Sequence, residues 1–105
     1  MMNQDANEIT LVNLFTVEPE KQASAANKIA EIYRMIVSKQ PGFISAKVHT
    51  SLDGTRVVAI ARWQSESDLK AMQQTSEFQT SLKTLKGEII SSEPHTFNVI
   101  YAVGK

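Results

Sequence analysis

Residues 41–63 read PGFISAKVHTSLDGTRVVAIARW, two runs rich in β-branched and small apolar residues that meet at Leu52-Asp53-Gly54, a turn signal, and so predict a β-hairpin. Its apolar residues fall on both faces, so the sheet it belongs to must be covered twice. The chain offers only two helical segments elsewhere, which leaves one covering to another molecule or to a ligand. Two registers are open. If Asp53-Gly54 form a two-residue turn, Leu52 pairs with Thr55; if Leu52-Asp53-Gly54 form a type I turn with a bulge, Ser51 pairs with Thr55. The bulged register is the favoured expectation. It puts Phe43, Ser45, Lys47 and His49 on one face with Val57, Ala59, Ala61 and Trp63, and Ile44, Ala46 and Val48 on the other with Val58 and Ile60.

On the N-terminal side of the hairpin, EITLVNLFTV (8–17) alternates and is β-branched, which predicts a strand. Pro19, with Glu18 and Glu20 beside it, opens a helix expected to run to about Lys39. Its apolar positions are Ala26, Ile29, Ala30, Tyr33, Ile36 and Val37, and Pro41-Gly42 end it. On the C-terminal side, Ser65 is the expected N-cap of a short helix carrying Leu69 and Met72 inward. Thr75-Ser76 break or re-cap that segment, and Phe78, Leu82 and Leu85 mark a second piece ending at Gly87. HTFNVIYAV (95–103) is the last expected strand, with Pro94 at its start.

Strand, helix, strand, strand, helix, strand is the order of a ferredoxin-like βαββαβ domain of the α+β class, with both helices on one face of a four-stranded antiparallel sheet. The uncovered face is expected to carry Val12, Leu14, Ile44, Val48, Val58, Ile60, Ile100 and Ala102. Burying half of these at roughly 1.5 to 3 kcal/mol each gains on the order of 10 kcal/mol before association costs. A homodimer formed through this sheet face is the expected remedy.

Composition narrows the partners. Eleven Lys and Arg balance eleven Asp and Glu, so no broad basic field exists for a nucleic acid or an anionic membrane. The absence of cysteine removes disulfides and thiolate chemistry and is compatible with a reducing compartment. No stretch approaches the ~20 apolar residues of a membrane span, and MMNQDANE has no signal-peptide pattern. The expectation is a cytoplasmic protein with a disordered N-terminus at residues 1–7 and one domain at 8–105.

PGFISAKVHTSLDGTRVVAIARWQSESDL, with the later EFQ and EPHTFNVIYAV, resembles the antibiotic biosynthesis monooxygenase domain family of the dimeric α/β barrel superfamily. The resemblance runs from Ile9 to Val103 and implies the barrel-type dimer. It also implies oxidation of a small aromatic or polyketide-like molecule without metal or other cofactor. The quinone-forming members carry an asparagine four residues before the strand-end tryptophan and a tyrosine six residues after it, where this chain has Ala59 and Leu69. Trp63 and His49 match that pattern. The haem-degrading members share Asn13, but their histidine ligand has no counterpart between Ser65 and Gly87.

The candidate catalytic residues are therefore His49 as general base and Asn13 and Trp63 as orienting groups. Phe15, Ala59, Leu69, Met72 and Phe78 are the expected substrate contacts. His49 and His95 belong to opposite sheet edges, about 14 Å apart, which excludes a shared metal within a subunit. A non-catalytic small-molecule binder, or an isomerase or lyase on the same fold, is the alternative reading.

Overall fold

The computed structural model describes residues 8–104; the expectation for residues 1–7 lies outside that range. Strand β1 (Ile9–Thr16) is followed by helix α1 (Gln22–Met35), the hairpin β2 (Phe43–Thr50) and β3 (Arg56–Trp63), helices α2 (Glu66–Gln73) and α3 (Ser76–Leu82), and β4 (Ser91–Asn98). The strands form one antiparallel sheet in the order β2-β3-β1-β4. The expected ferredoxin-like architecture is thus the observed one. Ile9, Leu11 and Phe15 of β1 and Val57, Ala59, Ala61 and Trp63 of β3 join Ala25, Ile29, Ile32, Leu69 and Met72 from the helices in one core.

Local chemistry explains the helix ends. Pro19 opens a 3-10 turn, Pro19–Lys21, that leads into α1. The Ser65 hydroxyl accepts from the Asp68 backbone N–H at 3.1 Å and caps α2, while the Thr75 hydroxyl accepts from Phe78 N–H at 3.2 Å and caps α3. Helix α1 stops at Met35, short of the expected Lys39, and a 3-10 turn, Val37–Lys39, completes the segment. Gln40 must be extended before Pro41, and it is, at φ −89° and ψ 148°. The buried stripe of α1 also differs from expectation. It centres on Ala25, Ile29 and Ile32, with Ala26 and Tyr33 half-buried and Ala30 exposed.

The hairpin departs from the favoured register. Ser51 N–H donates to Arg56 C=O at 3.0 Å, and Gly54 N–H to Ser51 C=O at 3.2 Å. One oxygen of Asp53 accepts from the Ser51 hydroxyl, the Thr55 hydroxyl and the Thr55 N–H at 2.8, 2.7 and 3.0 Å. These bonds lower the Asp53 carboxyl from 3.8 to about 2. They close a four-residue connection, Leu52 to Thr55, so the strands pair in phase with the two-residue alternative. Val48 faces Ala59 and Ala46 faces Ala61, on the helix side; His49 pairs with Val58 and Lys47 with Ile60, on the opposite side. A register shift between Phe43 and Ser45 then returns Phe43 to Trp63. The rings of these two residues meet edge to face at 5.5 Å and 83°.

Strand β4 is the second departure. It spans Ser91–Asn98 rather than 95–103, because its partner β1 begins at Ile9, opposite Asn98. Residues 99–103 run past the last available partner, so Ile100 and Ala102 do not join the open face. Pro94 sits mid-strand rather than at the start. An edge strand tolerates it, since its missing N–H interrupts no central ladder. Val12, Leu14, Val58 and Ile60 share the face away from the helices with His49 and His95.

Gly42 has φ +86°, and a Cβ there would collide with the Asp68 side chain. Gly87 has the same φ with nothing within 4 Å. Gly87→Ala is expected to cost about 1–2 kcal/mol from left-handed strain alone, and Gly42→Ala clearly more. Urea unfolding of the two variants measures the difference, and equal losses would show that the Asp68 contact carries no weight.

Candidate functional site

A cavity of about 370 Å³ lies between the helix side of the sheet and the helices. Leu11, Asn13 and Phe15 of β1 form its floor, and Ile29, Ile32 and Tyr33 of α1 one wall. Met72 and Gln73 of α2 and Phe78 and Leu82 of α3 face them, with Leu85, Lys86 and Ile89 closing the side near β4. Ser92 and Pro94 complete the lining. Most of these positions are apolar, so the space suits a hydrophobic or aromatic molecule oriented by a few polar groups.

Asn13 is the polar group of the floor. It faces the core side of β1 because it alternates with Leu11 and Phe15, and its neighbours across the sheet are Ala59 on β3 and Pro94 on β4. A methyl group and a ring without an N–H offer no donor. Asn13 Oδ1 is accordingly buried with no hydrogen-bond partner among the described residues, a condition that costs about 1–3 kcal/mol unless something else supplies the donor. A hydroxyl on a bound molecule would do so.

Tyr33 is the second polar group, and burial pushes its phenol up to about 12. The hydroxyl therefore stays protonated near neutral pH and can donate to a developing oxyanion. From the sequence, Tyr33 counted only as part of the apolar stripe of α1; its phenol among aliphatic residues was the available signal. Gln73, Lys86 and Ser92 are further lining residues that sequence reasoning missed. No periodic pattern marks them, since they meet only through the packing of α2, the segment after α3 and β4.

The cavity gathers four of the sequence-predicted residues: Asn13, Phe15, Met72 and Phe78. Ala59 is fully buried beside Asn13 but does not reach the lining. Trp63 is likewise 0 % exposed and belongs to the core; its Nε1 has no partner among the described residues. Leu69 lines a smaller adjoining cleft of about 240 Å³, with Lys70, Gln73 and Thr96. His49 is a correction. The hairpin register puts it on the opposite side of the sheet from Asn13 and Trp63, so within one protomer it cannot act on an occupant of this cavity. Among the described residues, no three His, Cys, Asp or Glu side chains gather as a metal-ligand set.

The family model described as antibiotic biosynthesis monooxygenase matches residues 8–84. Tetracenomycin-F1 monooxygenase of Streptomyces glaucescens is similar, at 44% identity over 63 residues, or 60% of this chain. The match spans 56% of that relative's length, little more than half. Among solved structures, a mutant of SnoaB, a cofactor-independent oxygenase from Streptomyces nogalater, aligns with a TM-score of 0.77 and 25% identity, covering 95% of this chain and 100% of that one. A conserved protein from Methanosarcina mazei Go1 aligns at 0.79 with 20% identity, over 90% of this chain and 95% of its own.

Replacing Asn13 by leucine removes the unpartnered oxygen. Asn13→Leu is expected to stabilise the empty protein by about 1 kcal/mol in urea unfolding, while reducing the rise in Tm produced by a hydroxylated polycyclic ligand. A destabilised variant with unchanged ligand response would show that Asn13 is a structural residue only.

Proposed function

Because this chain belongs to the antibiotic biosynthesis monooxygenase family, we propose that it is a cofactor-independent monooxygenase acting on an electron-rich, polyketide-like aromatic. The observation that carries this reading is the buried, unpaired amide oxygen of Asn13 in the floor of an otherwise apolar cavity. The names of the Streptomyces glaucescens relative and of the Streptomyces nogalater oxygenase support it.

In this reading the ring system lies against Phe15, Met72 and Phe78, and a phenolic hydroxyl donates to Asn13 Oδ1. Among the described residues the lining contains no carboxylate or imidazole, so in this reading proton loss draws on the acidity of the substrate itself, as in an anthrone whose methylene lies between two aromatic rings. The resulting carbanion-like form is the reductant for dioxygen. Tyr33, protonated, hydrogen-bonds the oxyanion that develops. The methylene becomes a carbonyl, one oxygen atom enters the product and the other leaves as water. All four electrons come from the substrate, so the balance closes without a further reductant.

Oxygen uptake with a dihydroxyanthrone tests the proposal. The expected result is uptake above autoxidation, one dioxygen per quinone, and a product heavier by one oxygen and lighter by two hydrogens. A raised Tm without oxygen uptake would instead identify a small-molecule binder. A product of unchanged composition would identify an isomerase.

The same reading makes the protein a homodimer joined through the face away from the helices. Leu14, Ile60 and Phe97 are 36 %, 37 % and 51 % exposed there, and a second copy is the partner whose surface is apolar in the same places. No helix among the described residues is long and apolar enough to cross a membrane. Ile60→Lys is expected to shift the sedimenting species from dimer to monomer at micromolar concentration. A wild-type monomer would overturn this assembly.

A further inference from the structure

One lysine at the cavity has no role in the chemistry above. Lys86 is exposed yet lines the cavity, which puts it at the rim, in the strap that links α3 to β4. We infer that Lys86 is a specificity-determining residue that selects occupants bearing an anionic group, a carboxylate or an ionised phenol, on the edge of the ring system nearest the strap. This rests on the reading of the cavity as an aromatic site and adds to it the charge of the ligand.

The strap is pinned in a way that leaves this cation uncommitted. Lys86 N–H donates to Lys83 C=O at 3.2 Å at the end of the 3-10 turn, Lys83–Leu85. The next carbonyl, of Gly87, accepts from Lys21 Nζ at 2.8 Å. Glu88, the strap's carboxylate, accepts from the Ser24 hydroxyl at 2.9 Å and pairs with Lys28 Nζ at 3.3 Å. The two lysines that α1 and the turn before it bring to the strap are thereby engaged, and Glu88 is compensated. Lys86 makes no ion pair among the described residues.

Among the described residues the lining contains no Asp or Glu to balance the Lys86 charge. A side chain at the rim of an apolar cavity is screened less than one in open solvent, so its attraction for a negative group on a bound ring is strengthened. A carboxylate there gains a charge-assisted hydrogen bond from the ammonium. Asn13 calls for a donor at the floor and Lys86 for an acceptor at the rim. The two together orient a ring system with a hydroxyl inward and an anion outward.

Anthraquinone-2-carboxylate and its carboxamide are matched probes that differ in charge and need no turnover. Their Kd values for the full chain, measured by calorimetry, are expected to favour the carboxylate by about five-fold, the scale of a partly exposed ion pair. Lys86→Gln should equalise them, Lys86→Arg and Lys83→Gln should keep the preference, and added salt should shrink it. Equal affinities in the wild type, or a preference that survives Lys86→Gln, would overturn the inference while leaving the aromatic site intact. If neither probe binds the wild type, the aromatic-site reading falls together with it.

Discussion

The carboxylate of Asp53 collects three donors from Ser51 and Thr55 and closes the β2–β3 connection over four residues; the side-chain arrangement of the sheet depends on this. In a strand the side-chain period is two, so a one-residue change of phase exchanges the faces completely. With this turn, Val48 and Ala46 enter the core beside Ala59 and Ala61, and His49 and Lys47 leave it. The shift between Phe43 and Ser45 then restores Phe43 to the helix side, where its ring packs on the indole of Trp63. Buried aromatic packing and a satisfied carboxylate are thus compatible only through a local irregularity in β2.

The same sheet explains why the cavity has a polar floor. β1 lies between β3 and β4, and its central core-side residue, Asn13, meets Ala59 and Pro94. Neither neighbour can answer the amide oxygen, and both are small enough to leave space above it. A local rule of folding, that buried polar groups be paired, is broken at the position where the cavity opens, and such breaches concentrate at functional sites. Tyr33 reaches the same space from α1 as a neutral phenol. The cavity therefore offers hydrogen bonds without a built-in base, which suits a substrate that is itself acidic and oxidisable.

Much of the fold was legible in the sequence because the signals are local. Alternation named β1 and the hairpin, Pro19 and Pro41 bounded the first helical segment, and Ser65 and Thr75 capped the later helices through their own hydroxyls. HTFNVIYAV alternates well throughout and so suggests a strand at 95–103, whereas a strand extends only as far as its neighbour does and β4 ends at Asn98. The buried stripe of α1 centres on Ala25, Ile29 and Ile32, which the sequence does not single out, because a stripe of Ala, Ile and Tyr does not say which of its edges meets the sheet. Asn13, Phe15, Met72 and Phe78 all line the one cavity, since each lies on an inward-facing position of its own element.

The amino-acid sequence by itself determined the element order, the caps, the apolar character of both sheet faces and the family, all properties of residues near one another along the chain. Only the tertiary structure decided that His49 faces away from the cavity, that Trp63 is core, and that Tyr33 and Lys86 belong to the lining. The physical reason is that pairing phase and helix rotation are set by contacts between segments distant in sequence. A shift of one residue or a fraction of a helical turn reassigns the side chains without altering any local pattern.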